Sequence, residues 1–317
     1  MSVKSAVAPI SEAALNKEIR PALTIGLPVY NAAPYLKHCL QSIFAQTWID
    51  WELIVVDDGS NDSSVSIFHT LVDPRVRIFS HRRRRGLAVC LNKITAEAKG
   101  DYVARMDADD LMHPERLARQ LLFLDQHRDV DGVGCGLAIL DRNLSPVGCR
   151  LLPQQHEAIC SRPLSGFQIA HASYLGRTGW FLNNPYNETN RGCEDWELWA
   201  SSFRHSQFAN LAEPLYFYRE LDSFGLSKYL RKKAVFADHL WARRREFGLL
   251  KTAGEFLRQY AHMLLYGGAD LVGATDRLLL NRNQALSEDA KKFVLEGLQR
   301  VKNVNLPMVA ETPKQGN

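Results

Sequence analysis

Asp107-Ala108-Asp109-Asp110 sets three carboxylates within four residues, directly after the apolar run Asp101-Tyr-Val-Ala-Arg-Met106. Carboxylates so close repel one another, and hard oxygen ligands in that number suit Mg²⁺ or Mn²⁺. A divalent ion held there can bridge diphosphate oxygens and neutralise the charge on a departing nucleoside diphosphate. The same residues also fit a solvated acidic turn, with Asp110 capping a helix opened by Pro114. A second cluster, Asp57-Asp58-Gly59-Ser60, ends the run Trp51-Glu-Leu-Ile-Val-Val56. It reads as a strand-to-helix turn, or as acceptors for a base N–H and ribose hydroxyls, with Gly59 letting backbone approach a ligand. Glu194 and Asp195 open a short helical pattern and fit carboxylates stabilised by a helix dipole. His171, between apolar neighbours, fits a core histidine. Trp180 and Trp196 can stack on sugar faces, whereas Trp199 sits at helical spacing and fits the core.

The elements around these residues place them. Leu23–Tyr30 and Trp51–Val56 read as buried strands, and Asp101–Met106 as another. Between them lie a helix from Pro34 with Leu36, Leu40, Ile43 and Phe44 at helical spacing, a helix starting near Asn61 or Asp62, a short strand at Val76–Phe79, and a helix over Leu87–Ala98. Strict alternation of this kind predicts right-handed βαβ units and a mostly parallel sheet. In such sheets ligands bind at the carboxyl ends of the strands, where both acidic clusters fall. Beyond about residue 130 strands and loops take over: Gly132–Leu140, a turn at Asp141-Arg-Asn143, and a strand at Ile169–Leu175. From about residue 228 the pattern is helical, with Phe236, Leu240 and Phe247 on one helix, Leu257, Ala261 and Leu264 on a second, and a last helix behind a Ser287 cap.

Composition narrows the class. The 317 residues are 46% hydrophobic and 23% charged, as in an ordinary globular protein, and the net charge of +4 does not call for a nucleic-acid partner. Six scattered cysteines lack both a CxxC pair and metal-ligand spacing, which predicts a reducing compartment. With neither a signal-peptide core nor a membrane-length apolar run, the chain is expected to be cytoplasmic. Charge is nevertheless uneven. Arg82–Arg85 form a run of four, and residues 228–258 carry nine Lys/Arg against three Asp/Glu. Basic helices bearing Phe236, Trp241 and Phe247 fit either a packed bundle or the face of an anionic membrane.

Taken in order, Thr24-Ile-Gly-Leu-Pro-Val-Tyr-Asn31, Asp57-Asp58-Gly-Ser60, Gly86-Leu-Ala…Leu91-Asn92, Ala98-Lys-Gly-Asp-Tyr-Val103, Arg105-Met-Asp107-Ala-Asp-Asp110 and Gly192-Cys-Glu-Asp195 resemble the family 2 glycosyltransferases. The resemblance covers roughly residues 22–220. It implies the GT-A fold, a Rossmann-like α/β sandwich with a mostly parallel central sheet, here followed by a C-terminal helical region. The implied division is an N-terminal extension at 1–21, a GT-A domain at 22–225 and helices at 226–317. Within the domain, 22–130 forms the nucleotide-sugar half and 131–225 the acceptor half.

By the same resemblance, the loop of Pro28, Val29 and Tyr30 and the carboxylates of Asp57 or Asp58 hold the nucleoside. Asp107, beside Ala108, contacts ribose, and Asp109 binds Mn²⁺ or Mg²⁺. Arg85 and Asn92 lie in the family's phosphate-facing segment, though Asn92 also fits the polar face of a helix. Asp195 is the base that deprotonates the acceptor hydroxyl during inversion, supported by Glu194, and His171 faces the acceptor. The family often carries a His after its final strand, where this chain has Arg219-Glu220-Leu-Asp222, followed by Ser223 and Ser227. Neither a QxxRW motif nor membrane spans appear, so transfer is expected to be non-processive, onto a saccharide, lipid-linked or protein-linked acceptor. Two rivals are a sugar-nucleotide nucleotidyltransferase, whose Gly-rich phosphate loop is missing at Leu27–Ala33, and an inactive glycan-binding protein of the same fold.

Overall fold

A computed structural model describes residues 21–190, 192–220, 225–275, 278 and 282–308. The predicted N-terminal extension (but for Pro21), the segment holding Asp222 and Ser223, and the final residues after Met308 lie outside them.

The first half alternates as its sequence predicts: β1 (Leu23–Val29), α1 (Ala33–Phe44), β2 (Trp51–Asp57), α2 (Ser64–His69), β3 (Val76–Ser80), α3 (Leu87–Glu97), β4 (Tyr102–Arg105). The four strands are parallel, in the order β3-β2-β1-β4. β1 and β2 are apolar along almost their whole length because both faces are covered. Leu53 and Val55 pack with Leu36, Leu40 and Ile43 of α1. Ile54 and Val56 pack with Cys90, Leu91 and Ile94 of α3 on the other side.

The second half completes one sheet rather than building another. β5 (Leu111–Met112), α4 (Arg116–Gln126), β6 (Gly132–Leu140), β7 (Pro146–Arg150), α5 (His156–Ile159), β8 (Leu175–Arg177), α6 (Thr178–Asn183), α7 (Glu194–Ser202) and β9 (Phe208–Tyr218) follow. The sheet continues β4-β8-β6-β9-β5, with β7 paired to β6, and β8 antiparallel to both β4 and β6. The strand predicted at Ile169–Leu175 is displaced to β8. The residues before it form a 3₁₀ turn at His171–Ser173, and side chains satisfy its backbone: Gln120 donates to the Ser173 carbonyl at 2.9 Å.

The C-terminal helices are α8 (Leu226–Ala242), α9 (Arg244–Phe247), α10 (Leu249–Leu271) and α11 (Glu288–Lys302). Ser287 caps α11, accepting from the Ala290 N–H, and Val294, Leu298 and Val301 pack onto Leu111, Ala138 and Phe217 of the sheet. Helix α8 instead packs beside α7, where Phe236 and Leu240 cover Trp196 and Ala200, and α10 packs on α8. Among the described residues no helix is long and apolar enough to cross a membrane.

Candidate active site

Strand register brings the sequence motifs together. Val29 pairs with Asp57 and Gly26 with Arg105, so the carboxyl ends of β1, β2 and β4 meet at one sheet edge. A cavity of about 200 Å³ opens there, walled by Pro28, Val29, Tyr30, Asp58, Asp107 and Asp109. Asp58 is buried, and its carboxylate accepts the backbone N–H groups of Arg85 (2.7 Å) and Gly86 (2.9 Å). This ties the arginine-rich loop to the end of β2. Arg84 then lays its guanidinium over the Tyr30 ring, 4.1 Å from the centroid, at the cavity's rim. Asp57 turns the other way and accepts the N–H groups of Gly59 and Ser60, holding a turn in which Gly59 has φ +76°.

One carboxylate oxygen from each of Asp107, Asp109 and Asp110 lies within 4.8 Å of the other two. The three are not equivalent. Asp110 is buried and accepts from the Tyr216 hydroxyl (2.9 Å) and the Arg219 N–H (2.9 Å), which fixes it to the end of β9. Burial, then the charges of Asp109 and Asp107, push its carboxyl well above the usual range. Asp109 faces the cavity, and burial followed by the neighbouring Asp107 raises it as well. Asp107 is clamped by Arg105, with Nη2–Oδ1 at 2.7 Å and Nη1–Oδ2 at 3.3 Å. A second cluster, Asp58, His81 and Cys90, is equally compact. Burial, followed by the Asp58 charge, strongly raises its thiol.

Asp107 also borders a larger cavity of about 600 Å³, whose walls include Arg105, His171, Glu194, Asp195, Trp196 and Lys232. Asp195 is exposed at the first turn of α7, where its carboxylate accepts the Trp196 N–H at 2.7 Å; Glu194 accepts the Gly192 N–H at 2.8 Å. His171 Nε2 pairs with the Tyr186 hydroxyl at 2.7 Å. Burial, followed by the Arg105 charge, holds this imidazole neutral. Two carboxylates thus line one cavity, Asp107 clamped and Asp195 open to solvent.

Residues 24–148 match the family described as Glycosyl transferase family 2. EpsE of Bacillus subtilis (strain 168), described as a glycosyltransferase, is 32% identical over 208 residues, covering 63% of this chain and 73% of EpsE. The chain belongs to the family 2 glycosyltransferases. The hyaluronan synthase of Pasteurella multocida is 28% identical over 212 residues, but the chain spans only 21% of that protein's length. The solved structures agree on the fold at low identity. The mannosyltransferase PcManGT of Pyrobaculum calidifontis, in complex with GDP-Man and Mn²⁺, superposes with TM-score 0.55 at 17% identity, over 89% of this chain and 86% of that one. S. aureus TarS 1-349 in complex with UDP-GlcNAc gives 0.54 at 16% identity, over 88% and 90%. The glycosyltransferase has the GT-A fold.

Within this glycosyltransferase, Pro28, Val29, Tyr30, Asp58, Asp107, Ala108 and Asp109 gather around the smaller cavity, and His171, Glu194, Asp195 and Trp196 around the larger. The geometry narrows four of the sequence readings. Asp57 spends its carboxylate on its own turn, leaving Asp58 as the cavity carboxylate. Asn92 lines neither cavity: it bridges the Tyr186 N–H and carbonyl at 2.9 Å each, tying α3 to the loop before α7. Arg85 contributes its backbone to Asp58 while Arg84 supplies the side chain at the rim. Trp180 is buried among Tyr174, Phe181, Trp199 and Phe208, with its indole N–H donated to Ser206 Oγ at 2.8 Å, so no ring face is left for a sugar. Sequence reading also passed over Arg105. The available signal was its strand position, since residues two apart in an extended run point to the same side and Arg105 therefore shares a side with Asp107.

Proposed function

We propose that this enzyme moves one sugar, with inversion, from a nucleotide-diphosphate sugar to a hydroxyl of a saccharide, lipid-linked or protein-linked acceptor, in the assembly of a cell-surface polysaccharide or lipopolysaccharide. The observation that carries this reading is the junction at Asp107: a nucleoside-sized cavity on one side, a larger cavity on the other, and an accessible carboxylate, Asp195, across from it. Asp58 and the Pro28–Tyr30 loop hold the base and ribose. Asp107, oriented by Arg105, contacts the ribose. Arg219 carries two buried nitrogens, Nε and Nη2, without partners among the described residues, and its guanidinium lies 5.3 Å from the Tyr35 ring at the donor cavity. An anionic diphosphate satisfies such donors.

The acceptor hydroxyl attacks the anomeric carbon from the face opposite the diphosphate, and Asp195 takes its proton. Glu194 steadies the turn through Gly192, and His171, held neutral, presents a polar group to the acceptor without adding charge. A divalent cation fits the acidic cluster: Asp109 and Asp107 have carboxylate oxygens to offer, and positive charge offsets the burial and the Asp107 repulsion that raise Asp109. When bound, it would neutralise charge on the leaving diphosphate. Support for a nucleotide-sugar donor comes from TarS, solved with UDP-GlcNAc, and PcManGT, solved with GDP-Man and Mn²⁺.

The test is a thermal-shift screen of UDP- and GDP-sugars with and without Mn²⁺, followed by turnover of Asp195→Asn with the donor so identified. A ligand that binds the folded state raises the melting temperature by mass action. We expect a Mn²⁺-dependent rise with one nucleotide class, and an Asp195→Asn variant that keeps that rise but loses transfer at least a hundredfold. Normal transfer by Asp195→Asn overturns the base assignment, and the lack of any metal-dependent shift overturns the donor site.

A further inference from the structure

Helix α10 is packed inside out. Its buried side is polar: Thr252, Glu255 and Gln259 are buried, and Tyr266 stacks near Tyr229, 4.4 Å between centroids. Each of those groups is satisfied where it lies. Glu255 accepts from Arg258 (2.7 Å) and the Ser165 hydroxyl (2.9 Å), and Gln259 accepts from Lys233 of α8 (2.7 Å). The opposite side carries Leu250, Leu257, Leu264 and Leu271, spaced every seven residues and exposed at 88%, 69%, 79% and 88%. Leu249, Leu265 and Val272 widen the strip, and Trp241 and Tyr260 stand at its edge, 42% exposed each. An amphipathic helix ordinarily turns its apolar stripe to the core. A continuous exposed strip about 30 Å long, at 1.5 Å per residue over some 20 residues, marks a surface with something to cover it.

The surrounding charge says what. Residues 228–258 carry nine Lys/Arg against three Asp/Glu, and Arg245, Lys251 and Arg258 are exposed along the strip or at its start. Arg244 lies over the Trp241 ring, 5.3 Å from the centroid. Against these, the exposed acid on α10 is Asp270. A second copy of the helix would offer these cations a single exposed acid, Asp270. A lipid surface with anionic headgroups accepts both the leucines and the cations, and Trp and Tyr belong at such a boundary.

We propose that the outward face of α10, centred on Leu250, Leu257 and Leu264, seats the enzyme on an anionic lipid surface. The basic stretch read from sequence is thereby relocated. Phe236 and Phe247 pack around Trp196 inside the protein, and the apolar contribution comes from the leucines that follow. Helix α8 lies between the docking face and the acceptor cavity, which it lines with Lys232, Lys233 and Phe236. A docked enzyme therefore holds that cavity one helix away from the lipid. This docking stands apart from the catalytic assignments, because none of its residues touches the donor cavity.

Co-sedimentation of the full chain with phosphatidylcholine vesicles, with and without one third phosphatidylglycerol, tests the proposal. The expected result is binding to the anionic vesicles, at least tenfold weaker to the neutral ones, and at least tenfold weaker for Leu250→Ser/Leu257→Ser/Leu264→Ser. Those leucines are exposed, so the variant keeps its nucleotide-sugar thermal shift, which serves as the folding control. Lys251→Glu/Arg245→Glu, which leaves the leucines alone, loses affinity about fivefold per charge removed. Equal binding by wild type and the serine variant overturns the proposal, as does no binding by wild type. Sedimentation velocity showing a dimer that the serine variant dissociates, without vesicle binding, assigns the face to a second copy instead.

Discussion

Arg105 and Asp107 grip each other through two contacts, 2.7 and 3.3 Å, at the wall shared by the two cavities, with the arginine buried and the aspartate partly open. A planar guanidinium fixes a carboxylate's orientation as well as its charge. Arg105→Lys keeps the charge and loses the fork. We expect a rise in donor KM and a fall in kcat/KM of about tenfold, with the melting temperature nearly unchanged. Arg105→Met removes the charge beside three carboxylates, and denaturant titration should show a loss of about 2 kcal/mol.

The acidic cluster divides into a structural and a ligand-facing member. Asp110→Ala leaves the buried Tyr216 hydroxyl and Arg219 N–H without their acceptor. Each such loss costs about 1–3 kcal/mol, so urea unfolding should show a large destabilisation. Asp109→Ala removes a carboxylate that burial and Asp107 already disfavour. Its stability should match or slightly exceed wild type, while the Mn²⁺-dependent nucleotide shift disappears. Equal destabilisation by the two variants would contradict this division.

His113 predicts an acid limb in stability. Its ring stacks on Phe293 at 4.0 Å and meets Phe217 edge-on, and burial lowers its pKa to about 4. The unfolded chain, with an ordinary histidine near 6.5, then binds more protons between those two values. Stability is flat above pH 6.5 from this group and falls as pH drops from 6.5 toward 4, by up to about 3 kcal/mol. Urea midpoints across that range for wild type and His113→Asn isolate the effect, since the variant should lack that part of the slope. Asp110, raised by burial, works in the opposite direction and is common to both proteins.

Asn92 holds a loop. Its amide closes a two-way bridge to the Tyr186 backbone, and Tyr186 in turn meets His171. Asn92→Ala should lower stability by about 1–2 kcal/mol and weaken acceptor use, while donor KM stays within twofold. A donor KM raised tenfold with unchanged stability would restore the phosphate role.

Much of the site could be read from residue order because its chemistry sits at strand ends. Runs such as Leu53-Ile54-Val55-Val56 are apolar on both faces only when helices cover both, so the parallel sheet, and with it the meeting of Asp58, Asp107 and Asp109, follows from local pattern. Side-chain direction in loops did not follow. Asp57 and Asp58 are adjacent and alike, and only the reach of the Arg85 and Gly86 amides decides which one faces the cavity.

The sequence by itself determined the α/β order, the acidic motifs at the carboxyl edge and the apolar stripe Leu257, Ala261 and Leu264. Periodicity of 2 and 3.6 is enough to specify elements and their faces. Tertiary structure alone decided what each face meets. It buried Trp180 against Ser206 and Trp196 beneath Phe236, paired Arg105 with Asp107, and turned the leucines of α10 outward by giving Glu255 and Gln259 partners on the inside. Periodicity records that a helix has two faces; the partners available to the polar one decide which is buried.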